Sequence, residues 1–127
     1  MRGMIKHNRY CGPYALSHVI GCSTGAAAEV VREVGKRKVI KGVYHYEIWS
    51  VLRRAGMIEA DTGLIRKGDR PTLAAWLKGK RGRWIVAVTG HYIVVDGRKI
   101  YDNNHQGVPK KDWKGRRKRV WRAWKIK

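Results

Sequence analysis

The stretch YCGPYALSHVIGC, residues 10–22, places a cysteine directly before Gly-Pro and an apolar run. Pro13 is tolerated only in the first turn of a helix, because it lacks an N–H and its ring clashes with the preceding turn elsewhere. A helix over 11–20 therefore starts at or just before Cys11 or Gly12, and Gly21 stops it. A thiol attacks as its thiolate, and a free cysteine is mostly protonated near neutral pH. Unpaired N–H groups at a helix start favour negative charge and lower that pKa, and a neighbouring imidazolium lowers it further. Cys11 is thus the candidate nucleophile. Cys22, among small residues, reads as a core cysteine.

Five histidines could serve as its base. His18 lies two turns along the same helix, roughly 10 Å away, which is too far. His7 lies in the leading segment, His45 opens a later helix and His105 lies in a glycine-asparagine loop. His91 opens a strand straight after Thr89-Gly90, and a strand start is a rigid mount. A third group should orient the imidazole from an adjacent strand. The Asp96-Gly97 turn brings residues 101–103 back opposite residue 91, so strand alternation places Asp102 or Asn103 beside it. A carboxylate best stabilises an imidazolium, and Ile100 and Asp102 share a face. Asp102 is therefore preferred, with Asn103 as the alternative third member.

The elements that must position these residues are legible from periodicity. After the Cys11 helix, STGAAAEVVREVGK (23–36) reads as a helix capped by Ser23 or Thr24. YHYEIWSVLRRAG (44–56) reads as a third, and RPTLAAWLKGK (70–80) as a shorter fourth. The period then changes. RWIVAVTG (83–90), HYIVVDG (91–97) and RKIYDN (98–103) predict a three-stranded meander. Residues 103–118 read as a loop and RVWRAWKIK (119–127) as a last strand. Residues 1–80 are then mainly helical and 83–127 mainly β. Helices first and an antiparallel sheet second predict a single α+β domain over 1–127.

Composition is that of a globular domain, 43% hydrophobic and 30% charged. No signal-peptide h-region follows Met1, and no apolar run approaches the ~18 residues of a membrane span, which predicts a cytoplasmic protein without membrane contact. Two cysteines in such a chain are expected to be thiols. The chain lacks C-x-x-C and H-x-x-x-H units, so neither a metal nor another cofactor is expected.

The order of these residues resembles the papain-like cysteine peptidase superfamily. CGPYAL is similar to the nucleophile helix of its bacteriocin-leader-processing peptidases, and GHYIVVDGRKIYDN resembles their histidine strand, hairpin and acid. The two blocks also resemble small, basic papain-like proteins encoded by bacteriophages, which implies a host cytoplasm. The resemblance implies a papain-like fold with a Cys11–His91–Asp102 triad. It implies acyl-enzyme hydrolysis of a peptide or other amide, with amidases, deamidases and acyltransferases sharing the chemistry. The superfamily commonly carries a glutamine ahead of the cysteine as an oxyanion donor. Here none precedes Cys11; Asn8 carries the same amide and, with the Cys11 N–H, is the expected oxyanion hole, with His7 the other candidate. The third helix, through Tyr44, Tyr46 and Trp49, is expected to wall the substrate groove.

Charge supplies the second functional theme. Lys and Arg number 29 against 9 Asp and Glu, a net +20. Residues 106–127 alone hold ten cations and one acid, interleaved with Trp113, Trp121 and Trp124. Lys110, Lys111, Arg116, Arg117, Lys118 and Arg119 form the candidate polyanion patch, and 66–83 extends it. The tryptophans are expected to be mostly core. Nucleic acid is the expected polyanion, bound without sequence preference, and the alternative to an enzyme is an idle fold that acts through this charge.

Overall fold

The computed structural model describes residues 4–5 and 10–127. The first helix, α1 (Cys11–Ile20), holds Pro13 in its first turn and ends on Gly21 at φ 84°, whose N–H bonds Ser17 O. The second, α2 (Thr24–Val34), is capped by the Ser23 hydroxyl, 3.0 Å from the Ala26 N–H. α3 (His45–Arg54) starts where the Glu47 carboxylate takes the Tyr44 N–H at 2.8 Å. Arg37 pairs with that same buried carboxylate, also at 2.8 Å. α4 is a single turn, Leu73–Trp76, capped by Thr72. The predicted fourth helix over 70–80 is cut back because 71–74 instead make strand-like bonds to 116–120.

Two short strands, β1 (Met4–Ile5) and β2 (Val43–Tyr44), pair antiparallel ahead of α3. The main sheet holds β3 (Ile58–Asp61), β4 (Arg83–Val88), β5 (His91–Asp96), β6 (Lys99–Asp102), β7 (His105–Pro109) and β8 (Val120–Ile126). Its order is β3-β8-β4-β5-β6-β7, antiparallel throughout. The fold is α+β, with N-terminal helices and a C-terminal antiparallel sheet. The expected three-strand meander is thus the centre of a wider sheet. β7 lies where a loop was expected, and β3 lies between the third and fourth helices.

The sheet separates two cores. On one face Ile85, Tyr92, Val94 and Trp124 pack with Leu16, Val31, Ile48 and Leu52 of the helices. On the other face Val86, Ile93, Val95 and Ile100 pack under Leu73, Trp76 and Trp113. The second face is covered by α4 and by a strap, residues 110–119. The strap runs from one end of β5 to the other: the Lys110 N–H bonds Arg98 O, and Arg119 O accepts from the Thr89 N–H.

Strict alternation along 119–127 would put Val120 and Trp124 on one face. Instead Val120 joins Ala123 in the second core, while Trp124 lies in the helical one. The register slips between Ala87 and Val88, which pair with Arg122 and Val120, so Trp121 is an extra residue. Such a bulge reverses the side-chain parity beyond it. The tryptophans of this region are packed, as expected: Trp113 and Trp124 are buried and Trp121 is half-buried. Cys22 departs from the expectation of a core position. It is exposed, because the left-handed stop at Gly21 turns the chain outward before Ser23 opens α2.

Candidate active site

Cys11 is the first residue of α1 and is 1% exposed. The residue after it packs tightly, since a Cβ at Gly12 would lie 2.8 Å from Val43 Cγ2 and would push on that side chain. The Val43 carbonyl in turn accepts from the Tyr92 hydroxyl at 2.8 Å. The start of α1, strand β2 and the start of β5 are therefore fixed against one another. The Cys11 sulfur accepts from the backbone N–H of Tyr92, the residue after His91.

Burial pushes the Cys11 thiol up to about 11. Amides of Tyr92, Gly12 and Cys11 itself pull the other way, and the Asp102 carboxylate adds to the rise. Desolvation of the charged form thus outweighs the helix start. This reverses the expected direction: the thiol is protonated at neutral pH.

His91 opens β5 directly after Gly90, which turns the chain at φ 72°. The turn is clasped by two side chains of the 118–121 segment. Trp121 Nε1 donates to Thr89 Oγ1 at 3.1 Å, and Lys118 Nζ to Thr89 O at 3.2 Å. His91 Nε2 lies 2.9 Å from Asp102 Oδ2. Asp102 is 2% exposed and also takes His105 Nδ1 and the Asn104 N–H on Oδ1, each at 2.8 Å. Burial alone would raise the Asp102 pKa. Its bonds to His91, His105 and Asn104 overcome that and hold the carboxyl well below the usual range. The indole of Trp113 lies parallel to the His91 ring, with 6.2 Å between centroids and 9° between planes.

The structure therefore joins His91 to Asp102 and leaves His91 Nδ1 as the ring nitrogen for another partner. With Nε2 donating to a carboxylate, Nδ1 is the basic nitrogen. Cys11 reaches this pair less directly. Tyr92 points into the helical core with Cys11, and His91 faces the other way against Trp113, so thiol and imidazole lie on different sides of the start of β5. Among the described residues no hydrogen bond joins Cys11 to His91; the Tyr92 amide is the link.

The remaining expected residues are placed as follows. Asp102 bonds His91; Asn103 is half-buried at the following turn. Asn8 and His7 lie outside the described residues. Tyr44 follows Val43, which packs against Gly12, and Tyr46 stacks on it with 5.7 Å between centroids. Trp49 packs against the helical core under Arg53, whose guanidinium lies 5.0 Å from its ring centre. Nothing ties it to Cys11 among the described residues. In the candidate patch Lys111, Arg116, Arg117, Lys118 and Arg119 are exposed and Lys110 half-exposed. Two residues at the site were not expected there. From sequence Trp113 belongs to the core or to the charged tail. His105 reads as a loop residue, although Asn103-Asn104 is a hairpin turn signal that returns it to Asp102.

No protein-family model, curated protein or solved structure matches the chain.

Proposed function

We propose that this chain is a thiol amide hydrolase with a papain-like fold, resembling the small phage-encoded members of that superfamily, at work in a host cytoplasm. Cys11 attacks an amide carbonyl while His91 Nδ1 takes the thiol proton, forming the sulfur–carbon bond and a tetrahedral oxyanion. The imidazolium is stabilised by Asp102 and returns its proton to the leaving amine as the carbon–nitrogen bond breaks. Water, activated by the same nitrogen, then attacks the thioester, releases the acid and restores the thiol. Because the resting thiol is neutral, proton transfer accompanies attack. Asn8 with the Cys11 N–H is assigned to the oxyanion, and Tyr44 with Trp49 to the substrate groove.

The observation that carries this reading is the His91–Asp102 pair, mounted one residue from the amide that holds the Cys11 sulfur. It is tested with p-nitrophenyl acetate, following nitrophenol release and acetylation of the Cys11 peptide by mass spectrometry. Acetylated Cys11 in the wild type, absent in His91→Ala, is the expected result. Equal acetylation with and without His91 would remove the base from the mechanism.

The burial of Cys11 and its raised pKa favour a second reading. In it the papain-like fold is retained, the site is idle, and the protein works through its +20 charge by binding nucleic acid.

A further inference from the structure

The strap over the second sheet face concentrates positive charge that no carboxylate pairs among the described residues. Residues 110–119 hold seven cations and one acid, Asp112. Elsewhere Arg32, Arg37, Arg54, Arg66, Arg122 and Lys125 pair with carboxylates. Among the described residues none of the seven strap cations does so. Three of them are instead held by carbonyls: Arg116 by Lys111 O, Lys118 by Thr89 O and Arg119 by Arg70 O. A carbonyl orders a cation without cancelling its charge.

The strap is rigidly backed. Trp113 is 4% exposed and seated in the second core, and the 116 and 118 carbonyls bond the Ala74 and Leu73 amides. At its start lies a cleft of about 300 Å³ lined by Arg98, Pro109, Lys110 and Lys111. Three cations converge there on a space much larger than one water. Asp96 and Asp112 flank the cleft in sequence, and neither makes an ion pair among the described residues.

We infer that the strap, with Arg98, is a binding surface for the phosphodiester backbone of nucleic acid. This deepens the second reading above and stands apart from the thiol chemistry. Recognition is by charge alone, because the strap's one aromatic ring is buried and unavailable for stacking on bases. A duplex is therefore bound at least as well as a single strand. An anionic membrane fits less well: among the described residues the exposed large apolar ones, Tyr10, Ile20, Val39, Tyr46 and Leu64, all lie off the strap, and interfacial binding needs apolar insertion beside the charge.

The test is fluorescence anisotropy of the full chain with a short labelled DNA duplex, its single strand, and phosphatidylserine vesicles, at several salt concentrations. The variant Arg98→Glu/Lys110→Glu/Lys111→Glu is compared with Lys36→Glu/Lys38→Glu/Lys41→Glu, an exposed triple of equal net charge beyond α2. The strap variant should lose at least about tenfold in duplex affinity at 0.1 M salt, its salt slope falling by about three, and the control less than about threefold. Equal loss in both would overturn the surface while leaving nucleic-acid binding intact. No binding by the wild type would overturn both, and vesicle binding without duplex binding would reassign the charge to membranes. A clear preference for the single strand would overturn recognition by charge alone. Near-ultraviolet circular dichroism checks the fold, and Arg98→Gln/Lys110→Gln/Lys111→Gln repeats the comparison if charge reversal disturbs it. Cys11→Ala should bind as the wild type.

Discussion

His105 Nδ1 lies 2.8 Å from Asp102 Oδ1, the carboxylate oxygen that His91 does not use. One buried acid thus serves two imidazoles from opposite sides, and its second oxygen is occupied before His91 is considered. The carboxylate cannot rotate away from His91 without breaking the bonds to His105 and Asn104. A fixed acid fixes the ring it holds, which is what a base at the end of a strand requires.

The first expectation concerns that ring. His91 should populate the tautomer with the proton on Nε2, leaving Nδ1 with a lone pair. Nitrogen-15 chemical shifts of the histidines at neutral pH would read this directly. An unprotonated Nε2 in the neutral ring would contradict the Asp102 pairing.

Asp102→Ala should destabilise the protein by about 3–5 kcal/mol, because it strands two imidazoles and an amide that were paired to a buried charge. The depressed pKa of Asp102 also sets a pH dependence. Its folded pKa lies below the unfolded one, so its contribution is complete above the ordinary carboxylate range and is lost as acid protonates it. Urea denaturation of wild type and Asp102→Ala should therefore differ most near neutrality and converge at low pH.

His45 should dominate the mildly acidic range. It is buried edge-on against Tyr92, Trp121 and Trp124. Burial lowers its pKa from 6.5 to about 4, and Arg122 and Arg70 add to the drop while Asp61 opposes it. Protonation favours the unfolded chain, so stability falls as pH drops from 6.5 towards 4, by about 3 kcal/mol in all. His45→Phe should flatten that part of a melting-temperature profile. An unchanged profile would show that His45 is not held neutral.

Gly115→Ala should loosen the strap, because the added Cβ would clash with the buried Trp113 ring. Overpacking of this kind costs about 1–3 kcal/mol. The drop in melting temperature should be accompanied by faster hydrogen exchange of the amides of Leu73, Ala74 and Thr89, which bond the strap.

The two thiols should react in the order opposite to the one catalysis alone suggests. Cys22 is exposed, whereas Cys11 is buried and pushed up to about 11. Iodoacetamide at pH 8 should therefore label Cys22 first, with Cys11 catching up only in stronger alkali. Peptide mass spectrometry separates the two. A Cys11 already reactive at pH 6 would mean that the folded protein opens around it.

What could be read from the chain follows from range. Pro13 and Gly21 fix α1 because their effects act within one turn, and Asp96-Gly97 sets the hairpin that brings Asp102 to His91. A tight turn narrows the third member to Asp102 or Asn103, and the charge a carboxylate brings to an imidazolium favours Asp102. β7 was hidden because Gly107 and Pro109 argue against a strand, and as an edge strand it tolerates both. β3, with Glu59 and Asp61, has too few apolar residues to announce itself; its cross-strand partners Lys125 and Arg122 are in a distant segment. The bulge at Trp121 and the burial of Cys11 depend on tertiary packing, which no local pattern reports.

β8 comes last in the described chain yet lies inside the sheet, between β3 and β4. It supplies Trp124 and Ile126 to one core and Val120 and Ala123 to the other. On the ribosome, every described helix and five of the six main strands emerge before the strand that closes them. Until Val120–Ile126 is released, the WIVAV edge of β4 stands open, a hydrophobic template for pairing with another chain. A truncation just before Val120 should therefore give an insoluble product rather than a smaller folded one.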